Sequence, residues 1–337
     1  MNMKIITDPT KIDHRKWYDF VFNHPRGNIF QTPGMYEVFV QTSNYQPIFV
    51  AVTSEDEIVG VLLGVIQKEH TGVLGRLTAR SIIIGGPLIA DGHNDSVNLL
   101  IKEFNVLTSD KVIYSQVRNL FPQSDISTEF EKNGYIYSEH LNILLNLKVG
   151  DDQLWTSFSR SRKKGIKKAN SANFSFGIST SLEYLDSFYD LLTINYKRIK
   201  LPFPHKQHFQ QLLNVFGEDN CMIFVIKNNN VTAVALFALI FKNTMYGYYM
   251  GSLDKKELLK NKPIDLLFWK VFQWAMSRNV QLFDWMGAGK PNEAYGVRNY
   301  KVQFGGELVN FGRFEKINNP VWYKTAKTML TLWQKLG

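Results

Sequence analysis

The chain has 337 residues, which fits one large domain or two ordinary ones. Its 45% apolar and 20% charged residues are those of a soluble globular protein and exclude a disordered one, and its longest apolar run, VTAVALFALIF (231–241), is too short to span a bilayer. The net charge of +9 is lopsided: residues 1–150 hold 13 Lys+Arg against 16 Asp+Glu, and residues 151–337 hold 26 against 14. A basic half suits nucleic acid, phosphate groups or an anionic membrane surface, and it suits a plain solvated lysine-rich surface equally well.

The opening stretch, MNMKIITDPTKIDHRKW, has no signal-peptide core, so a cytoplasmic protein is expected, with contact at the inner face of the membrane left open. Next come the strand IFVAV (48–52), the turn SEDE and the strand IVGVLLGVIQKE (58–69). A third strand is expected within RLTARSIIIGGPLIADG (76–92). The stretch DSVNLLIKEFNVLTSD (95–110) is helical in period, with Asp95 or Ser96 as its cap, and VIYSQV (112–117) is a strand. A mostly helical segment, 151–216, follows. It contains LEYLDSFYDLLTINYKRI (182–199), the break LPFP, and HKQHFQQLLNVFG (205–217). His205 and His208 lie three apart with no third ligand in reach, so no metal is expected.

The order then repeats. MIFVIK, the turn NNN, VTAVALFALIF, the turn KNT and MYGYYMGS form a second meander. Cys221, just before it, is the sole cysteine. It excludes an internal disulfide, suits a reducing compartment, and sits as a small core residue rather than a nucleophile. A helix runs from about Pro263 to Arg278 with Ile264, Leu267, Phe268, Val271 and Ala275 on one face, and VQLFDWMG (280–287) is a strand. GAGKP (287–291) fits neither a phosphate loop nor a dinucleotide fingerprint. YGVRNYKVQFGGELVNFGRF (295–314) alternates like a strand pair broken at Gly305-Gly306, yet carries Arg298, Lys301 and Arg313. NPVWYKTAKTMLTLWQKLG reads as a last amphipathic helix. We therefore expect an α/β protein of two similar lobes, residues 1–150 and 151–337, with 151–216 bridging them.

Meander, helix, strand and a further strand resembles the Gcn5-related N-acyltransferase fold. Two such lobes resemble the FemABX aminoacyltransferases and the broader FemAB-like acyltransferases. The segments that carry the likeness are FQTPGMY (30–36), SFSRSRKKGIKKAN (157–170), NYKRIKLPFP (195–204), KPIDLLFWKVFQWAMSRNVQLFDWMGAG (262–289) and YKVQFGGELVNFGRF (300–314). The last is similar to the family's Phe-Lys-x-x-Phe-Gly-Gly signature, with Tyr300 replacing the first Phe. The long charged helical arm of some members, linked to tRNA contact, has no counterpart here. The resemblance implies two lobes of mixed, mostly antiparallel sheet with flanking helices, an acceptor side in the first and a basic donor side in the second. It implies an amide-forming transferase that extends a peptidoglycan or polysaccharide precursor, nucleotide- or lipid-linked, with aminoacyl-tRNA or acyl-CoA as co-substrate and no resident cofactor. An acyl-CoA N-acyltransferase acting on a small amine and a non-catalytic RNA- or surface-binding protein are the alternatives. The oligomeric state is left open.

Amide formation needs a neutral amine, a donor for the developing oxyanion and substrates held in line. By the resemblance Lys301 is the signature lysine, neutralising a phosphate or the oxyanion, with Arg298 assisting; the other reading makes both edge-strand guards. Asp284 takes a proton from the amine, orients a tyrosine, or caps a turn. Tyr248 and Tyr249 alternate, so one faces the core and the other, Tyr249, the chemistry. Arg160, Arg162, Lys163, Lys164, Lys167 and Lys168 crowd one helix, most of them on one face, as a phosphate grip or as a solvated side. Arg198 matches the family's helix arginine and Gln31 its early Phe-x-Gln, both on the substrate side. The segment LDKKELLKNKP lacks the glycines of a coenzyme A pyrophosphate loop, which favours a larger donor.

Overall fold

The structure is a computed structural model that describes residues 3–68, 75 and 78–335. Its first stretch contains β1 (Met3–Ile6), α1 (His14–Asn23), α2 (Pro33–Val40), β2 (Tyr45–Ser54), β3 (Glu57–Gln67), β4 (Arg80–Ile84), β5 (Leu88–Ile89), α3 (Asp95–Thr108), β6 (Tyr114–Arg118), α4 (Ser127–Lys132) and β7 (Ile136–Ser138). There follow β8 (Leu141–Asn146), α5 (Gly150–Ser157), α6 (Arg160–Asn170), β9 (Phe174–Ser179), α7 (Leu182–Ile199), α8 (Lys206–Asn220), β10 (Cys221–Asn228), β11 (Val231–Phe241), β12 (Thr244–Ser252), α9 (Lys256–Leu259), α10 (Pro263–Ser277), β13 (Leu282–Asp284), α11 (Gly296–Lys301) and β14 (Glu307–Asn310). The described chain ends with β15 (Arg313–Ile317) and α12 (Pro320–Lys335).

Local chemistry explains many of these boundaries. Asp13 caps α1 by accepting from the amides of Arg15 and Lys16, and Thr32 caps α2 ahead of a proline at its first position. The β2–β3 and β10–β11 hairpins close through Glu55-Asp56 and Asn229-Asn230, all four with positive φ, the twist that suits two-residue turns. Helix α3 lays Val97, Leu100, Ile101 and Phe104 on one sheet, while α10 lays Leu267, Phe268, Val271 and Phe272 on the other. Two separate hydrophobic cores result.

The chain divides into two compact units, residues 1–139 with 311–337, and residues 140–310. Unit 1 holds the sheet β1-β2-β3-β4-β6-β15-β7, with β5 paired to β3; unit 2 holds β14-β8-β13-β12-β11-β10-β9. In both, an antiparallel meander leads through a helix to a strand that lies parallel to the third of the meander: β4 with β6, and β12 with β13.

The division differs from 1–150 and 151–337. Strand β8 belongs to unit 2, between β13 and β14, and β15 returns to unit 1, between β6 and β7. The sequence segment 151–216 lies wholly in unit 2 and contains β9, paired along β10, in addition to its helices. The strand pair expected at 295–314 is instead α11, a 3-10 turn at Val302–Phe304, and two strands that belong to different sheets. Tyr300 and Phe304 are four apart and their rings meet at 5.4 Å, a helical spacing, and Gly305 at φ +86° ends the turn. The redrawn boundary sharpens the charge asymmetry. Unit 1 has 17 Lys+Arg and 17 Asp+Glu, and unit 2 has 22 and 13, so unit 2 carries the whole excess.

Candidate active site

The parallel ladder of β12 and β13 is short. It pairs Thr244 with Leu282, Met245 with Phe283 and Tyr246 with Asp284, and β12 then runs on to Ser252 without it. Asp284 therefore stands where the two strands part. Beyond it the chain turns away through Trp285, Met286 (φ +56°) and Gly287 (φ +126°). Asn142 on β8 holds this turn from one side. Its Nδ2 donates to Asp284 Oδ1 (2.8 Å), and its Oδ1 accepts from the amides of Gly287 (2.8 Å) and Ile143 (2.8 Å). Asp284 Oδ1 also accepts from the Met286 amide (2.6 Å). Lys301, at the end of α11, grips the same turn: Nζ donates to Trp285 O (3.0 Å) and Gly287 O (2.7 Å). An ammonium has three N–H donors, so one is left for a substrate atom.

Burial tunes both groups. It pushes Asp284 up to about 6, against the pull of Asn142, the Met286 amide and the Lys301 charge. It pushes Lys301 down to about 8, against the pull of Asp284. Near neutral pH the pair thus consists of a carboxylate only just ionised and an ammonium only just protonated. That poise suits taking one proton and giving another.

A second cluster anchors α11 from behind. Arg162 of α6 donates through Nη1 to Asp265 Oδ1 and through Nε to Gln303 Oε1 (3.2 Å), and its guanidinium lies over the Tyr300 ring at 4.4 Å. Tyr300 OH donates to Asp265 Oδ1 (2.7 Å). Asp265 reaches this spot only because position 165 is glycine, since a Cβ there would stand 1.9 Å from its Oδ2. Burial raises the Asp265 carboxyl, and Tyr300 and Arg162 oppose that rise. Arg162 is buried in this cluster, so the expectation that it grips substrate is corrected: it ties α6, α10 and α11 together.

The remaining sequence candidates divide. Arg160, Lys164, Lys167 and Lys168 are exposed along α6, while Lys163 is half-buried and donates to Thr156 O (2.9 Å). Arg198 is exposed beside Asp254 at 3.9 Å. Arg298 binds the backbone, donating to the carbonyls of Ala288, Lys290 and Glu293, and so clamps the loop 288–293 rather than standing ready for a ligand. Tyr249 is not in the Asp284 turn. The register shift between Phe237 and Ala238 breaks the alternation of β12, and Tyr248 and Tyr249 both pack on Phe209 of α8. Tyr248 OH meets Nε2 of the buried His208 at 3.1 Å. Gln31 belongs to unit 1 and is fully buried. Its Nε2 donates to Leu63 O (3.0 Å) and Ile84 O (2.8 Å), and its Oε1 accepts from the Leu63 amide (2.8 Å), so it acts as a peptide group inserted between β3 and β4. Cys221 is buried, and burial raises its thiol.

Sequence reasoning missed Asn142 and Asp265. Asn142 gave no local signal, since the turn residues it holds, Asp284 and Gly287, are more than 140 positions away. Asp265 was hidden in the first turn of α10, where an acid is ordinary. Gly165, a helix-weakening residue inside the basic stretch, was the readable hint of a close approach. Among the described residues no cluster of His, Cys, Asp and Glu is built to hold a metal.

Residues 156–302 match the family model described as an acetyltransferase (GNAT) domain, a span that lies within unit 2. The chain has a tandem GNAT fold, and its second unit is similar to an acetyltransferase domain. Across its whole length the chain is similar to FemX (TM-score 0.71, 14% identity, covering 96% of this chain and 99% of that one). It is also similar to a tandem GNAT protein from the clavulanic acid biosynthesis pathway (TM-score 0.60, 10% identity, 95% and 99% covered). A third similar structure is L-PGS from Bacillus licheniformis (TM-score 0.57, 15% identity, 96% of both chains). No curated protein matches the chain by sequence. At these identities the likeness is one of fold, and the FemX-like tandem architecture is the one the sequence motifs pointed to.

Proposed function

We propose that this acyltransferase forms an amide on an amine of a cell-envelope precursor, nucleotide- or lipid-linked, with aminoacyl-tRNA as donor. The observation that carries the reading is the Asp284–Lys301 pair at the parting of β12 and β13. Asp284 takes a proton from the incoming ammonium. The neutral amine then attacks the ester carbonyl, and the C–N bond forms. Lys301 meets the developing oxyanion with its remaining N–H. As the C–O bond breaks, the new amide nitrogen gives up its second proton and the leaving alkoxide takes one, relayed through Lys301 or water, so that the ester oxygen leaves as a hydroxyl and Lys301 ends protonated. No cofactor enters this scheme. The exposed cations of α6 and Arg198 bind phosphates of the donor or acceptor, and the charge excess of unit 2 draws such substrates in. The segment 253–263 holds α9 and a left-handed Lys262 without a glycine, which fits a donor other than coenzyme A. Contact with the inner face of an anionic membrane belongs to the same reading. Helix α12 supports it, presenting exposed Val321, Trp322, Met329 and Leu332 beside Lys324 and Lys327.

The likeness to a tandem GNAT protein whose structure is described as lacking AcCoA favours a second donor, acyl-CoA. Purified protein given an amine-bearing envelope precursor with charged tRNA, and in parallel with acyl-CoA, separates the two. Mass-spectrometric gain of an aminoacyl residue from tRNA alone supports the first. Transfer from acyl-CoA, together with heat protection by coenzyme A, selects the second. Transfer from neither donor, with no precursor binding, rejects both.

A further inference from the structure

Arg313 is a cation the Asp284–Lys301 chemistry leaves unused. It opens β15, directly opposite Arg118 of β6 in the antiparallel ladder, so the two side chains leave the same face of the unit 1 sheet. Residues opposed in this way have Cβ atoms about 5 Å apart, and like charges there repel. Both arginines are half-buried. Burial, and next the Arg118 charge, push the Arg313 guanidinium down to about 9. It remains charged at neutral pH. Among the described residues neither guanidinium has an ion pair, and the Arg313 side chain makes no hydrogen bond; only its backbone is paired, in the β15 ladders.

Tyr114 and Glu315 on this face oppose that shift of Arg313, but neither pairs with the two guanidiniums. Glu315 is committed elsewhere: its Oε2 accepts from Gln116 Nε2 (3.1 Å) and its Oε1 from Tyr323 OH (2.8 Å). Tyr114 packs edge-on against Tyr323 at 5.5 Å. Arg118 gives only its Nε–H, to Gln116 Oε1 (3.0 Å), which fixes its guanidinium and leaves its other four N–H groups. Asn119 Nδ2 donates to Phe311 O (2.8 Å), tying the end of β6 to the approach to β15 and so holding the register that opposes the two arginines. Two planar forks, one braced, with no acid between them match the oxygens of a phosphate far better than they match each other.

We propose that Arg118 and Arg313 form an oxyanion site in unit 1 that takes a phosphate or diphosphate group. The site is made of unit 1 residues only and stands apart from the acyl-transfer reading, so the two fail independently.

Calorimetric titration of the full chain with pyrophosphate, and with UDP as a nucleoside diphosphate, tests the site. Flotation with phosphatidylglycerol vesicles tests a lipid phosphate as the source. Wild-type protein is expected to bind one of these probes, and Arg313→Gln and Arg118→Gln are each expected to weaken that binding about tenfold or more. In the absence of probe, Arg313→Gln is expected to unfold at a higher temperature than wild type, because the repulsion is gone. Arg313-dependent binding of pyrophosphate or UDP assigns a soluble ligand. Arg313-dependent flotation alone assigns a lipid headgroup. No binding of any probe, or binding that both variants leave unchanged, overturns the proposal. Arg313→Lys guards against a folding artefact: it keeps the charge and loses the fork, and binding at wild-type strength in that variant also overturns the bidentate site.

Discussion

The two units use one plan and treat its central seam differently. In unit 1, β4 pairs with β6 over its full length, Arg80–Ile84 against Tyr114–Arg118, and the Gly85 amide extends the seam to Arg118 O. In unit 2, β13 covers only Thr244–Tyr246, and β12 continues six residues beyond. At the end of the closed seam the register sets Arg118 beside Ile84; at the parting of the open one it sets Asp284 beside Tyr246. A closed parallel seam satisfies its own backbone. An open one leaves room for another chain's carbonyl, and there the sequence places a buried acid and a half-buried amine. On the proposed reading unit 2 is the one organised for chemistry, and it carries the excess positive charge.

Several substitutions would break or sharpen this contrast. The largest effect is expected at Arg162, which anchors the helix carrying Lys301. Arg162→Met leaves Asp265 buried with Tyr300 alone, and denaturant unfolding should show a loss of about 3–5 kcal/mol. The double variant Arg162→Met/Asp265→Leu should recover much of that loss, because the stranded charge is gone. Next comes Lys301→Met. Removing an oxyanion donor should lower kcat/KM by about 10²–10³, with a smaller loss of stability because the Trp285 and Gly287 carbonyls lose their donor. A smaller effect is expected in unit 1. Gln31→Leu leaves the Leu63 amide and the Leu63 and Ile84 carbonyls without their partner, worth about 1–3 kcal/mol in unfolding, while activity per folded molecule stays at the wild-type level. Loss of activity without loss of stability at Gln31 would contradict the assignment of chemistry to unit 2.

How much of this was legible beforehand follows from the range of each signal. Both meanders and the helices after them were readable, because alternation, two-residue turns and helical period are local. Asp284 and Lys301 were legible only through the family signature; that both hold one turn, which Asn142 fixes, was not. The unit boundary was not legible. Two strands, β8 and β15, complete sheets that consecutive sequence does not suggest, and a strand's partner is a long-range fact. Arg162 was read as a ligand grip because five similar cations surround it. Only burial separates it from them, and burial here depends on Asp265, 103 positions away. Tyr249 was misplaced by counting alternation through a β-bulge.

The pH profile of kcat/KM for amide transfer tests the central claim most directly. Asp284 must be ionised to take the amine's proton, so activity should rise with pH through about 6. Lys301 must be protonated to meet the oxyanion, so activity should fall through about 8. A bell centred near neutrality is predicted, with its acid limb abolished in Asp284→Asn and its alkaline limb moved upward in Lys301→Arg. A profile flat from pH 5.5 to 8.5, or limbs that neither substitution moves, would contradict the account.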